Sequence, residues 1–219
     1  MKRNYSLFFT SLSIIILLSS CAPVFSDLQS ARMTGKNNFE LTPTGTLTNF
    51  RENGDGEKVQ NSIGFQASFG IHSKADVRFR FERIWLANGS IVDDGINIVG
   101  FAPKYSIIEN RIAASLLFGC AIDGAGDIGA FELHPTMLFS FPIKKDKIDV
   151  NFSPKYLWSF DPDSENFFAL NLGLSASNDL KKWAIRPEYG LCFLPGETGL
   201  FSQLSIGFSY NFGLTHKKK

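Results

Sequence analysis

The closing stretch of the chain, residues 204–212, alternates large apolar side chains with small or polar ones at every position. A repeat of two residues places alternate side chains on opposite faces of a β-strand. The apolar face consists of Leu, Ile, Phe, Tyr and Phe, whereas the other face carries only Ser, Gly, Ser and Asn. A strand facing water would instead carry charged side chains there. This pattern suits a sheet with hydrocarbon outside and a crowded polar interior.

The same alternation recurs in ten segments that turns and polar loops separate. It predicts strands at about residues 38–48, 62–72, 76–85, 96–106, 112–121, 131–141, 148–158, 168–175, 183–193 and 204–212. Tilted strands of this length span a bilayer, and an even number closes an up-and-down barrel. We therefore predict an all-β, antiparallel transmembrane barrel of about ten strands over residues 38–214.

Two details of this barrel follow from the pattern. Closure requires the last strand to pair with the first, so residues 204–212 are expected beside Phe39–Leu47. The fourth strand begins with Ile96 and Ile98 on the inward-facing parity, which indicates either a β-bulge or an apolar rim of the lumen.

The first 20 residues have the features of an export signal. Lys2 and Arg3 precede an apolar core, residues 7–18, that is too short to span a membrane comfortably as a helix. The stretch Leu18-Ser19-Ser20-Cys21 resembles the lipobox of bacterial lipoproteins. The resemblance implies cleavage before Cys21 and acylation of this cysteine, which would anchor the chain firmly. An ordinary signal peptide with a chance cysteine is the alternative.

Residues 21–37 are predicted to be a lipidated periplasmic tether, and residues 215–219 a basic periplasmic tail. Within the tether, residues 26–31 can form a short helical turn with Ser26 as its cap. This turn either packs at the mouth of the barrel or binds a partner, and we favour packing.

Residues 38–212 resemble the small outer-membrane β-barrels of Gram-negative bacteria. The closing strand, which ends in Phe212, resembles the signal that the barrel-assembly machinery recognises, although Gly213 to Lys219 extend beyond it. The resemblance implies outer-membrane lipid and this machinery as partners, and it supplies no catalytic residue. Connections after the even-numbered strands are the more compact ones, which implies that both termini are periplasmic and that the acyl chains on Cys21 reach the inner leaflet.

The inward-facing positions carry a nearly balanced set of charges. Balance favours a lumen plugged by paired side chains over a selective constriction, because buried charges must be paired and ten strands leave little free space. Gly207 is expected to leave room for two of these side chains on the neighbouring strand, Arg186 and Glu188. The predicted lumen network comprises Glu40, Asp76, Arg78, Arg80, Glu82, Lys104, Glu132, His134, Asp149, Lys155, Arg186 and Glu188.

We expect a non-catalytic role in the cell envelope, either structural or as an accessory subunit that docks on a larger outer-membrane complex through its apolar face or short loops. A narrow pore for small solutes is the alternative. A third hypothesis is an envelope enzyme acting on lipid or peptide, since Glu132 and His134 face the lumen together. A lipid-tethered soluble barrel is a fourth, and it would need the apolar face inside.

Composition argues against several other functions. The chain has 22 basic and 21 acidic residues, so its charge does not favour nucleic acid. No cofactor motif or metal-ligand spacing occurs in the sequence. Cys120 and Cys192 lie on opposite strand parities, and we expect no disulfide between them.

Overall fold

The computed structural model describes residues 24–52, 55–91 and 95–213. The predicted signal peptide, Cys21 and the basic tail lie outside these residues. Among the described residues no helix is long and apolar enough to cross a membrane. The strands are β1 Asn38–Glu52, β2 Asp55–His72, β3 Ala75–Leu86, β4 Ile96–Ile108, β5 Ile112–Ile122, β6 Ile128–Lys144, β7 Ile148–Ser159, β8 Phe167–Ala176, β9 Trp183–Phe193 and β10 Leu200–Gly213.

The sheet is a closed barrel in which each strand pairs antiparallel with its neighbours in sequence, and β10 pairs with β1. Phe39 lies opposite Phe212 and Leu47 opposite Leu204. The prediction of a ten-stranded antiparallel barrel closed by the last strand is confirmed. Closure leaves no strand edge with unpaired backbone groups.

Large apolar side chains cover the outside of the barrel, and mainly small or polar side chains line its interior, with a few inward-facing Leu and Ile residues. Along β10, Leu204, Ile206 and Phe208 are exposed, whereas Ser205 and Ser209 are buried. The other strands show the same division. A closed antiparallel sheet, with an apolar exterior around a mainly polar interior, is what a bilayer requires of a spanning barrel.

The first hairpin is longer than the alternation predicts. β1 and β2 remain paired through residues 49–60, as far as Glu52 opposite Asp55, where a polar loop was expected. A register shift between Thr48 and Asn49 marks the point where the side-chain alternation ends and the backbone ladder continues. Side-chain periodicity reports burial, so a ladder that extends with exposed polar residues gives no such signal.

The start of β4 forms an apolar rim. Ile96 lies opposite Ile84, and Ile98 lies opposite Glu82, in an unbroken register. Ile84 is buried inside the barrel, and paired residues share a face of the sheet. The first isoleucines of β4 therefore face the lumen without a bulge.

Residues 24–35 run inside the barrel and residues 36–37 are exposed; we call residues 24–37 the plug segment. The chain reverses direction just before β1, where Gly35 and Asn37 have φ angles of 91° and 60°. The Asn37 amide donates a hydrogen bond of 2.8 Å to the Gly70 carbonyl, and a Cβ on Gly70 would overlap the Gly35 backbone. The expected helical turn at residues 26–31 does not form. Lumen side chains bind the backbone groups that a helix would have paired.

The plug segment extends along most of the lumen. At one end it continues into Asn38, which pairs with Gly213. At the other end Phe25 packs against Leu157 and Cys192, which lie within two residues of the ends of β7 and β9. Phe25 and Gly213 therefore lie toward opposite ends of the barrel. The structure thus has a buried segment where the sequence predicts a periplasmic tether that packs at the mouth of the barrel.

Candidate functional site

The side chains predicted to form the lumen network all lie on inward-facing positions of their strands. All are buried except Glu40 and Glu132, which are partly exposed. Only some of them pair with one another, because the plug segment lies between opposite walls and takes up the remaining charges. The direct pairs are Arg80–Glu82 at 2.7 Å, Lys104–Asp76 at 3.2 Å, Arg186–Glu40 at 3.1 Å and His134–Glu132 at 2.7 Å.

Asp27 of the plug segment occupies the centre of the lumen and is completely buried. Its carboxylate lies 2.9 Å from Lys155 Nζ and 3.9 Å from an Arg78 guanidinium nitrogen. The Asn171 amide donates a further hydrogen bond of 3.2 Å to the same carboxylate. Three strands, β3, β7 and β8, therefore converge on one side chain of the plug segment.

Cationic side chains of the barrel bind the carbonyl groups of the plug segment. The hydrogen bonds run from Lys155 to Phe25 at 3.1 Å, from Arg80 to Ser26 at 2.9 Å, from Arg78 to Asp27 at 3.1 Å, from Arg186 to Leu28 at 3.0 Å and from Lys104 to Arg32 at 2.7 Å. Hydrogen bonds from charged donors are stronger than neutral ones, and more so away from water.

Acidic and hydroxyl side chains bind its amide groups. The carboxylate of Glu188 accepts hydrogen bonds from two consecutive amides, those of Asp27 at 2.7 Å and Leu28 at 2.9 Å. Further along, the Ala31 amide donates to Ser140 Oγ, and the Thr34 amide donates to Asp76. Side chains of the barrel wall thus bind backbone groups of the segment that a neighbouring strand would otherwise pair.

An apolar pocket at the N-terminal end of the plug segment holds Phe25. The ring is fully buried against Leu157, Ala169 and Cys192, with two further aromatic rings beside them. Gly190 allows this packing, since a Cβ there would lie 2.7 Å from a ring carbon of Phe25. The pocket fixes the depth to which the segment enters the barrel.

At the opposite end, Arg32 binds two aspartates on β7 and the turn before it. Its guanidinium donates hydrogen bonds to Asp149 and, at 2.9 Å, to Asp146. The hydrogen bond from Arg32 lowers the pKa of the Asp146 carboxyl below its usual value.

His134 and Glu132 form a close pair on β6. His134 Nε2 lies 2.7 Å from a Glu132 carboxylate oxygen, and His134 is buried. Among the described residues, His134 Nδ1 has no hydrogen-bond partner, and no hydroxyl or thiol is hydrogen-bonded to the ring. The pair therefore has the base and the carboxylate of a catalytic triad without a positioned nucleophile.

Sequence reasoning missed the residues of the plug segment that complete this site, chiefly Phe25, Asp27 and Arg32. One signal was available, because lumen faces rich in Gly, Ser and Thr leave volume that short side chains cannot fill. Gly207 shows this directly. A Cβ there would lie 3.1 Å from Thr42 and 3.5 Å from Leu28, so the space accommodates the plug segment rather than the expected Arg186 and Glu188.

The sequence matches no protein-family model, and no curated protein is similar to it. Similar folds occur among solved structures. The translocator domain of the autotransporter NalP from Neisseria meningitidis aligns over 80% of this chain and 88% of that chain, with 9% identity and a TM-score of 0.50. The fold is that of an outer-membrane β-barrel.

Two more distant structures are similar over almost their whole length. Ail, the attachment invasion locus protein of Yersinia pestis, covers 81% of this chain and 99% of its own, with 12% identity and a TM-score of 0.36. The outer membrane protease OmpT from Escherichia coli covers 85% of this chain and 100% of its own, with 9% identity and a TM-score of 0.44. A shared fold at such identity carries no function across.

Proposed function

We propose that this protein is an outer-membrane barrel with a non-catalytic structural or accessory role in the cell envelope, and that the plug segment closes its lumen. The observation that carries the proposal is the burial of Asp27 between Lys155, Arg78 and Asn171. Side chains from four strands, β3, β7, β8 and β9, hold residues 25–28 around this point. A chain held in this way would obstruct a path for solutes.

Conductance in planar lipid bilayers tests the closure. The wild-type protein is expected to stay silent. The Asp27→Arg variant places a cation against Lys155 and Arg78, so it is expected to release the plug segment and show discrete openings. Reproducible openings of the wild-type protein would overturn the closure. Heat-modifiable migration on gels would first establish that both proteins are folded barrels.

Outer-membrane placement is supported by the apolar belt, which includes Leu204, Ile206 and Phe208, and by the fold. The protein is expected to leave membranes only with detergent. Release by high salt or carbonate would contradict insertion into the bilayer.

Anchoring through acylated Cys21 is supported by the lipobox resemblance. Cys21 precedes Val24 by three residues, which cover about 10 Å of extended chain. Because Phe25 lies toward the barrel end opposite Gly213, we propose that the acylated terminus leaves at that end. The sequence alone favours the other end.

Metabolic labelling with an alkyne-tagged palmitate tests the acylation, which Cys21→Ala should abolish. An epitope between Ala22 and Pro23, probed on intact and permeabilised cells, tests the side.

A narrow pore is the second candidate. One observation favours it: the wall holds the plug segment by hydrogen bonds and ion pairs, which are reversible. Voltage steps or low pH that release the segment in the wild-type protein would then produce openings. A bilayer silent under all these conditions would remove the pore.

The His134–Glu132 pair is proposed to be structural, because a nucleophile is missing beside it among the described residues. His134→Ala should leave any lipid or peptide hydrolysis by the purified protein unchanged. Loss of a measured rate in this variant would establish an enzyme.

An accessory role implies a partner in the envelope. Affinity purification from detergent-solubilised membranes, with the tag on an exposed connection such as residues 194–199, is expected to recover a stable complex. Recovery of the barrel alone would favour an independent structural role.

A further inference from the structure

The barrel recognises the plug segment largely through its main chain. The carbonyl groups of residues 25–28 and of Arg32 accept hydrogen bonds from barrel cations, and Glu188 binds two consecutive amides. Every residue except proline presents the same amide and carbonyl groups. This part of the recognition therefore does not depend on the side chains of the bound segment.

Three side chains of the plug segment add selectivity. Phe25 fills the apolar pocket, Asp27 pairs with Lys155, and Arg32 pairs with Asp149. Their spacing defines a ligand pattern in which an aromatic residue stands two positions before an acidic one, and a basic residue follows five positions after it. The three side chains contact β7 at different levels, at Leu157, Lys155 and Asp149.

Departure of the plug segment without a replacement would be unfavourable. Glu188 would lose both of its amide donors, and Lys155 and Arg78 would lose the Asp27 carboxylate. Buried charges without partners are strongly destabilising, and a second polypeptide can supply the same groups. Exchange of one chain for another thus preserves contacts that an empty lumen loses.

We infer that the lumen is a binding site for a polypeptide segment that follows the backbone course of the plug segment, that the plug segment is its intramolecular ligand, and that a second polypeptide with the same aromatic, acidic and basic spacing exchanges with it. The inference rests on the proposed closure of the lumen and adds the chemical class of what the lumen binds. The relevant ligand is a main chain that turns as it does at Leu28, where φ is 49°, with Phe and Asp in the positions of Phe25 and Asp27.

Binding of a synthetic peptide with the sequence of residues 24–36, labelled with a fluorophore, tests the inference. The acceptor is the full-length Asp27→Arg barrel in detergent, whose own segment carries a repelled cation. Saturable binding is expected by fluorescence anisotropy. A peptide with Asp27→Asn should bind at least about ten-fold more weakly, because it loses the charge pair with Lys155. Equal binding of a scrambled peptide, or no binding, would overturn the inference.

A second design leaves the plug segment unchanged. A protease site inserted between Lys36 and Asn37, where the chain is exposed, allows the segment to be cut from the barrel. After cutting, the labelled peptide is expected to replace the native segment, and the uncut protein should incorporate far less. A cut barrel that never takes up peptide would contradict exchange. This result is separable from closure, which the bilayer conductance of the uncut protein reports.

Discussion

Asp27 and Lys155 form an ion pair of 2.9 Å in the middle of the lumen, between the plug segment and β7. Both side chains are almost completely shielded from solvent. Neither charge would be tolerated at this depth alone, because burying an unpaired charge is strongly unfavourable. Displacement of the plug segment would therefore leave Lys155 buried without its partner and destabilise the barrel interior.

Removing the cation of this pair should release the plug segment. Lys155→Met leaves the Asp27 carboxylate buried without its closest partner, a loss of about 3–5 kcal/mol for a buried pair. Cys192, which packs beside Phe25, is fully buried and serves as the reporter. In a Cys120→Ser background, a thiol reagent should label Cys192 far faster in Lys155→Met than in the parent protein.

The matched control for this experiment is Lys36→Met, the same substitution at an exposed lysine of the plug segment. It should leave the labelling rate of Cys192 unchanged. Equal acceleration by both variants would mean that loss of charge in general, and not loss of the Asp27–Lys155 pair, loosens the lumen.

Gly190→Ala should disturb the pocket of Phe25. The new methyl group would lie 2.7 Å from a ring carbon of Phe25 and would also overlap the Asn171 side chain. Overpacking of this kind lowers the free energy of unfolding by about 1–3 kcal/mol. Denaturant titration of the barrel in lipid vesicles measures the change.

Gly45→Ala provides the comparison, because a Cβ at Gly45 has nothing within 4 Å. Its free energy of unfolding should remain close to that of the wild-type protein. If Gly190→Ala were as neutral as Gly45→Ala, Phe25 would not occupy this pocket in the folded protein.

Gly207→Trp should impair assembly of the barrel. An indole at this inward position meets Thr42 on the adjacent strand and Leu28 of the plug segment. Ile206→Val changes the neighbouring outward side chain, which is 58% exposed, and should be nearly silent. Heat-modifiable migration measures the folded fraction of each variant. A fully assembled Gly207→Trp barrel would show that the lumen has unfilled space at this level.

Arg32 should control the titration of Asp146. Its hydrogen bond lowers the pKa of that carboxyl, so the interaction stabilises the folded protein above the usual pKa of about 4 and is lost as pH falls through the lowered value. Arg32→Gln should raise the pKa of Asp146 toward its usual value, as measured by carboxyl NMR. Lys181→Gln should raise it less, since Lys181 lies 3.9 Å away and is largely exposed. An unchanged pKa in Arg32→Gln would place Arg32 away from this turn in solution.

The architecture was predictable because a closed barrel in lipid has a local signature. Hydrocarbon contacts only the outer face of the sheet, and it selects apolar residues such as Phe39, Leu47 and Leu204 at alternate positions. The sequence of each strand therefore shows which side chains point outward. The ends of β1 and β2 escaped prediction, since their ladder continues among exposed side chains and has no alternation to report.

The sequence predicted which charged side chains face the interior, but it did not predict what they contact. Parity places Glu188 and Lys155 inside, and charge balance suggests that they pair with other wall residues. Both instead bind residues 25–28, which are more than 120 positions away in the chain. A short stretch with one buried aspartate has no periodicity, so its own sequence does not reveal that it lies in the lumen.

The amino-acid sequence by itself determined that this chain forms a lipid-facing barrel of ten strands. One face of each strand contacts lipid and the other contacts the polar lumen, so the side chains alternate within each strand. Only the tertiary structure decided what fills the barrel. The volume left by Gly190 and Gly207, and the unpaired charges around them, belong to no single strand. They come together only when the sheet closes, and the Asp27 carboxylate then lies beside the Lys155 ammonium group.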